Sequence, residues 1–251
     1  MTVWDVRRAR PLTTLDLPGD PLLQLALGPD LYAARSAPTG AVRDEVWDLT
    51  RRRRTRVLAG VTASHLGARP DGGLLLGDGR VAELPSGPTA ARDLVQGDQV
   101  GAFGFTADGT LLAVGDQTGR VFLWDGDARR REGILRNVGS QGVTALAFSP
   151  DGRTLAVAGD AGGLQLWDVA TQQPLGGPVT TPGEEIDSVV FGADGTTLYA
   201  SSAHAPLQRY DVDPERAARR VCERAGGVGL TRAQWRTYVP DAPYRRICGR
   251  A

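Results

Sequence analysis

Lysine is missing from the 251 residues, and all 29 basic side chains are arginine. A phosphate loop that ends in Lys-Ser/Thr therefore cannot be built. Histidine and cysteine are nearly missing too: two of each, at His65, His204, Cys222 and Cys248. A zinc site takes three or four Cys, His or carboxylate ligands at short spacing. No such cluster stands in the sequence, so neither a metal nor a cofactor is expected. Nucleophilic catalysis lacks its parts as well. There is no Gly-x-Ser-x-Gly elbow, Gly139-Ser140-Gln141-Gly142 reads as a loop, and the adjacent Ser64-His65 would face opposite sides of a strand. No catalytic residue is assigned, and no enzyme is expected. No apolar run approaches the roughly 20 residues of a membrane-spanning helix. The opening Met1-Thr2-Val3-Trp4-Asp5-Val6-Arg7 has no apolar stretch after a basic start, so no leader is expected. The expectation is a soluble, cytoplasmic chain. Acidic residues also number 29, so no net field draws the chain to nucleic acid or to acidic lipid.

What the sequence has is a repeat. A turn recurs at Pro29-Asp30, Pro70-Asp71-Gly72, Ala107-Asp108-Gly109, Pro150-Asp151-Gly152 and Ala193-Asp194-Gly195, its aspartates 41, 37, 43 and 43 residues apart. A second marker keeps step at Trp4-Asp5, Trp47-Asp48, Leu84-Pro85, Trp124-Asp125, Trp167-Asp168 and Tyr210-Asp211, spaced 43, 37, 40, 43 and 43. Two markers locked to a period of about 40–45 are the sequence trace of a four-stranded propeller blade. The 33 glycines and 16 prolines follow the repeat, as tight turns require.

Within one period the strands are legible. Val143 to Phe148 is a first strand, and Thr154 to Ala158, apolar on both faces, is a strand sandwiched between neighbours. Leu164, Leu166 and Val169 alternate with Gln165, and a more polar last strand is expected near Pro174 to Val179. Phe103, Phe105, Phe148 and Phe191 fall just before the turns and read as core. Register places a half-blade at 1–19 and five blades at about 20–60, 61–97, 98–138, 139–181 and 183–212. After Asp213 the pattern changes. Pro214 to Glu223 reads as a helix capped by Asp213. Thr231-x-x-Gln234 opens a second, short helix by a capping box. Residues 213–251 are thus a helical cap on an all-β propeller. The half-blade holds only a third strand and a fourth, about Pro11 to Leu17, so the ring is expected to be incomplete, with self-association through its open edge.

Thr144-Ala145-Leu146-Ala147-Phe148-Ser149-Pro150-Asp151-Gly152-Arg153-Thr154-Leu155-Ala156-Val157-Ala158 and Leu164-Gln165-Leu166-Trp167-Asp168 resemble the WD-repeat β-propeller family. The resemblance covers residues 1 to about 212 and is weakest over 61–95. The family's Gly-His pair is absent, and Thr118 and Ala161 stand where an Asp is expected before the turn glycine. The family's buried His–Ser/Thr–Trp–Asp network is therefore not expected, and blade cohesion should be mostly apolar. Val221 to Gly226, Leu230 to Trp235 and Tyr244 to Cys248 resemble the cap of propellers in large multidomain signalling proteins of high-GC bacteria, and the all-arginine composition fits a GC-rich genome. The resemblance implies an interaction module that binds a protein partner.

Candidate site residues follow from the loops before each first strand and between second and third strands. Asp98, Gln99, Gln117, Gln141, Glu185 and His204 are polar there, differ between blades, and are assigned to partner binding. Glu184-Glu185 with Asp187, and Asp98 with Asp116, are carboxylates near a propeller mouth, where a hydrolase or lyase would place an acid–base pair; solvated loop charge is the preferred reading. Arg51-Arg52-Arg53-Arg54 with Arg56 reads as an edge strand blunted by charge in preference to a phosphate-docking patch, since no aromatics interleave. Cys222 and Cys248 are either a disulfide that staples the cap or two thiols in a reducing compartment. The function expected is a non-catalytic scaffold. The rivals are a propeller enzyme with a carboxylate site in its central channel and a structural spacer of a larger protein.

Overall fold

The two sequence markers are both turn chemistry. In the computed structural model, which describes residues 1–5, 8–17, 21–36, 39, 41–58, 61, 64–135, 142–179, 181–246 and 248, Gly72, Gly109, Gly152 and Gly195 hold φ of 76°, 70°, 70° and 68°. The preceding aspartate accepts the amide two residues on: Gly73 N to Asp71 at 2.8 Å, Thr110 N to Asp108 at 3.1 Å, Arg153 N to Asp151 at 3.1 Å and Thr196 N to Asp194 at 3.0 Å. This is an Asx turn that folds the first hairpin of a blade. The Trp-Asp aspartate does the same for the last hairpin: Asp5 takes Arg8 N at 3.1 Å, and Asp48, Asp125 and Asp168 take Arg51 N, Arg129 N and Thr171 N at 2.7 Å each. Ala9, Arg52, Ala128 and Gln172 follow with positive φ, from 48° to 56°.

Between these turns the described residues form 21 strands. A two-stranded half-blade pairs β1 (Thr2–Asp5) with β2 (Arg10–Thr14). The first full blade is β3 (Leu22–Leu27), β4 (Leu31–Ser36), β5 (Val42–Asp48) and β6 (Arg53–Leu58). The second is β7 (Gly67–Ala68), β8 (Leu74–Gly77), β9 (Arg80–Glu83) and β10 (Thr89–Ala91). The third holds β11 (Val100–Phe105), β12 (Leu111–Asp116), β13 (Val121–Asp125) and β14 (Arg131–Leu135), and the fourth β15 (Val143–Phe148), β16 (Thr154–Gly159), β17 (Leu164–Asp168) and β18 (Gln173–Pro174). A last, three-stranded sheet is β19 (Ser188–Phe191), β20 (Thr197–Ser201) and β21 (Gln208–Asp211). All pairings are antiparallel. The fold is an all-β propeller with a short C-terminal helical cap.

Each junction between successive sheets has its own apolar cluster. Ala102, Val121 and Leu123 of the third blade pack with Val143, Leu146, Phe148 and Trp167 of the fourth. Leu74, Leu76 and Val81 of the second meet Val100, Leu112 and Phe122 of the third. Ala156, Ala158 and Leu164 meet Val189, Phe191 and Leu198 in the last junction. Tyr32 and Val46 join Leu75 and Ala82, and Leu15 joins Leu31, Ala33 and Trp47. Burial of these side chains, at about 1.5–3 kcal/mol for each large one, is the main attraction between blades. Buried charge contributes as well: in the first blade Glu45 accepts from Trp47 Nε1 at 2.9 Å, Arg54 at 2.7 Å and Arg35 at 3.4 Å.

Three details depart from the sequence reading. The last strand of the fourth blade is only Gln173–Pro174, because Pro174 and Pro178 lack an N–H; Leu175 and Val179 still donate singly to Leu166 and Leu164. Gln165 is buried where the alternation puts it in solvent, and its amide is satisfied by the Leu166 and Gly176 carbonyls at 2.9 and 3.3 Å. The strand after Asp5 ends at Thr14 instead of Leu17. The cap consists of α1 (Pro214–Arg224), with Asp213 accepting from Glu215 N and Arg216 N, and α2 (Arg232–Tyr238), opened by the Thr231–Gln234 capping box. A Cys222–Cys248 disulfide closes it, with Cα atoms 5.3 Å apart. No helix among the described residues is long and apolar enough to cross a membrane.

Candidate partner-binding rim

On one rim of the disc, the turn between second and third strands sits beside the loop that leads into the first strand. An aspartate ties them together. Asp78 accepts Ser64 N at 2.5 Å and His65 N at 3.2 Å, and His65 Nδ1 lies 3.4 Å away. Asp160 accepts Gly142 N at 3.1 Å. Asp116, fully buried, takes Thr118 N at 2.9 Å and Arg120 N at 2.8 Å, and Arg120 then spans from Asp116 (2.5 Å) to Asp98 (3.0 Å) across the Phe122 ring. Burial raises the Asp78 carboxyl, but hydrogen bonds from His65 and Ser64 outweigh it and hold the group below the ordinary carboxylate range. Hydrogen bonding to Asp116 pushes Arg120 further up, against its desolvation.

Sequence reasoning placed Ser64 and His65 on opposite faces of a strand. The structure puts both in the loop ahead of β7, folded around Asp78. The missed signal was a third marker: Asp78, Asp116 and Asp160 are 38 and 44 residues apart, in step with the repeat.

Between the second and third blades these loops enclose a cavity of about 650 Å³ with Leu94, Val95 and Val100 at its base and Ser64, His65, Asp93, Asp98, Gln99 and Gln117 on its walls. Three residues assigned to partner binding, Asp98, Gln99 and Gln117, therefore share one site. Gln141 lies outside the described residues. Glu185 and His204 lie apart on the last blade, both exposed. It is Glu184, not Glu185, that meets His204, Nδ1 at 2.7 Å, while Ser202 Oγ donates to its other oxygen at 2.7 Å. The Ser202 hydrogen bond, then His204, lowers the Glu184 carboxyl. Ser, His and Glu are thus present in the wrong order for nucleophile activation: the carboxylate sits between the other two, and a carboxylate of lowered pKa is a weak base for a serine proton.

The first strands converge on a second cavity of about 210 Å³, lined by Gln24, Thr144, Asp187 and Ser188 together with His65 and apolar side chains. Asp187 is the one carboxylate among the described residues of that lining. Asp98 and Asp116 share Arg120 and do not face each other across open space, as a hydrolytic pair must. No group of three or more His, Cys, Asp or Glu among the described residues is arranged to hold a metal ion. At the opposite rim Arg51 pairs with Asp48 and Arg54 with Glu45, each at 2.7 Å, along the exposed edge strand β6.

Residues 134–168 match the family model described as WD domain, G-beta repeat. That match, with the recurring four-stranded antiparallel sheets, supports a WD-repeat propeller. Repeats of this family generally mediate protein–protein interaction. No curated protein matches the chain.

Proposed function

We propose that the chain is a non-catalytic interaction scaffold, the partner-binding or sensor part of a bacterial signalling system, and that it engages a protein through the rim around Asp98, Gln99 and Gln117. The observation that carries this reading is the cavity of about 650 Å³ in which those three side chains meet over an apolar base. Binding sites have that constitution, with apolar floors and a few fixed polar groups. The Asp98–Arg120–Asp116 and His65–Asp78 ties fix the loops around it, which lowers the ordering cost of association. Balanced charge and the absence of aromatics interleaved with Arg51–Arg54 favour a protein over nucleic acid or a lipid surface.

The test is a quantitative pull-down from the native host with three baits. A Gln99→Ala/Gln117→Ala variant, which leaves the Asp98–Arg120 pair intact, should lose the partners that the unaltered chain retains. An Arg51→Ala/Arg53→Ala variant should keep them. Loss with the arginine variant alone would overturn the rim assignment.

A further inference from the structure

The turn aspartate of the first blade is free where its four counterparts are engaged. Side-chain hydrogen bonds, and then turn amides, hold the carboxyls of Asp71, Asp108, Asp151 and Asp194 below the ordinary range. Their hairpins have five residues between the strands, 69–73, 106–110, 149–153 and 192–196. The first blade has only three, Gly28, Pro29 and Asp30. Gly28 N closes that shorter turn on the Asp30 carbonyl at 2.9 Å. The Asp30 carboxylate is left with no hydrogen bond or ion pair among the described residues. Burial first, and then the Asp48 charge, pushes it above its ordinary value, against Arg51.

Asp30 lines a cavity of about 170 Å³ between the first and second blades. Gly28 stands two residues before the turn aspartate, where the second blade has Arg69. Arg69 bridges its own Asp71 to Asp127 of the third blade, at 2.7 and 2.6 Å, and Gly28 has no side chain to make that bridge. Val46 and Leu84 give the cavity apolar walls, and Tyr32, Thr55 and Arg56 give it polar ones. Burial, then the charges of Asp30 and Asp71, pushes the Tyr32 hydroxyl up to about 12, so it stays protonated. On the edge strand β6, Arg54 pairs with Glu45, whereas Arg56 has no ion pair or hydrogen bond among the described residues. The cavity thus holds one unpaired anion and one unpaired cation in its walls, and they do not reach each other.

We propose that this cavity binds a small zwitterion, a short aliphatic α-amino acid, with its ammonium on Asp30, its carboxylate on Arg56 and its side chain against Val46 and Leu84. A ligand with one charge would leave the opposite wall unanswered. A ligand with both gains a charge-assisted hydrogen bond at each end. A simple anion on Arg56 would also face the like charge of Asp30. The volume has room for about five or six waters at liquid density, which suits a ligand of that size and excludes a folded peptide segment. Apolar walls with a few fixed polar groups are the usual make-up of a small-molecule site.

The full chain is titrated with L-valine, with L-valinamide, which keeps the cation alone, and with α-hydroxyisovalerate, which keeps the anion alone. Binding is followed by calorimetry and by the amide shifts of Leu31, Tyr32 and Leu84. Valine should bind saturably, and each single-charge analogue should bind about tenfold more weakly or worse, the loss of one charge-assisted hydrogen bond. Asp30→Asn should bind valine no better than α-hydroxyisovalerate, and Arg56→Gln no better than valinamide. Asp30 makes no turn hydrogen bond and Arg56 is exposed, so both variants should keep the urea midpoint. Gln99→Ala/Gln117→Ala should bind valine unchanged, which separates this site from the rim. Three results would overturn the proposal: no saturable binding of valine, valinamide binding as tightly as valine, which would leave a plain cation site, or shifts that spare all three amides. The ligand comparison is made on the unaltered chain and stands even where a variant fails to fold.

Discussion

Trp4 and Trp167 occupy the same register in the same kind of hairpin, yet Trp4 is 57% exposed and Trp167 5%. The hairpins around them are nearly alike. Each has an aspartate that accepts a turn amide and a following residue with positive φ, Ala9 in one and Gln172 in the other. What differs is the company. Trp167 clusters with Leu123 and Leu135 of the third blade and Leu155 of its own, whereas among the described residues β1 has no second strand beside it. Turn geometry is thus written within about ten residues of sequence, and burial is written by other strands, from the neighbouring strand of the same blade to those of the preceding blade about forty residues away.

Truncating the two tryptophans tests that separation and should give the largest effect. Trp167→Ala should cost about 3–5 kcal/mol, the range for deleting a large buried aromatic. Trp124, half-buried with its Nε1 donating to the Leu94 carbonyl at 3.2 Å, should cost somewhat less. Trp4→Ala should cost under about 0.5 kcal/mol, as exposed substitutions do. Urea melts of the three variants decide it, and equal losses would mean that the half-blade is packed like the others.

The same separation explains what the sequence made legible. Both turn markers were visible because an Asx turn needs its Asp at a fixed place and, in the first hairpin, a Gly for positive φ. The helical cap was visible because Asp213, Pro214 and the Thr231–Gln234 box are local signals. Long-range consequences were not. The Glu45 cluster draws on Arg35 and Arg54 from the strands on either side, and nothing in the alternation of Val42 to Asp48 announces it. The rim cavity was only half visible: Asp98, Gln99 and Gln117 could be chosen as polar loop residues, but the loop carrying His65 joins them only because Asp78 folds it inward.

Glu45 gives the next effect, in the first blade. Glu45→Gln keeps the shape but removes the charge that faces Arg35 and Arg54, and breaking a buried ion cluster costs about 3 kcal/mol. Burial raises this carboxyl, but hydrogen bonds from Arg54 and Trp47 and the charges of Arg54 and Arg35 together leave it below its ordinary 4.5. A group whose folded pKa is depressed stabilises above the unfolded value and loses that contribution as pH falls through the folded one. Acid unfolding of the unaltered chain should therefore steepen below pH 4.5, and the Gln variant should show a flatter acid limb. An unchanged limb would assign the acid sensitivity to other carboxylates.

A smaller effect should be equal in both regions. Asp5→Ala and Asp168→Ala each remove a side chain that accepts a turn amide, at 3.1 and 2.7 Å. Both also accept a side-chain hydrogen bond, Asp5 from Arg8 at 2.8 Å and Asp168 from Thr171 Oγ1 at 2.6 Å, and each such local hydrogen bond contributes about 0.5–1.5 kcal/mol. Because the contact does not depend on neighbouring blades, amide exchange in the two turns should accelerate by similar factors. A much larger acceleration at Asp168 would show that blade packing, and not the side chain, holds that turn.

The smallest effect on the propeller should come from the cap. Neither α1 nor α2 contains a buried residue, and the cap organises itself: Trp235 meets Tyr244 edge-on at 5.9 Å, Trp235 Nε1 donates to Ala242 at 2.8 Å, and Cys222 is bonded to Cys248. Its ion pairs to the last blade run from Arg216 and Arg220 to Asp211 at 3.1 and 3.2 Å, with exposed arginines, and such pairs contribute about 0–1 kcal/mol each. The disulfide spans a sequence separation of 26, for which chain entropy alone gives about 3.5 kcal/mol, but that stabilisation belongs to the cap. In a Cys222→Ser/Cys248→Ser variant, or on reduction, the amides of α1 and α2 should lose their protection. The urea midpoint of the blades should stay in place, because the apolar junction between the fourth and fifth blades lies in Ala156, Val189, Phe191 and Leu198. A shift of the main transition together with the cap would make residues 213–251 part of the propeller's cooperative unit, and the contrast between self-contained hairpins and interdependent blades would then stop short of the C-terminus.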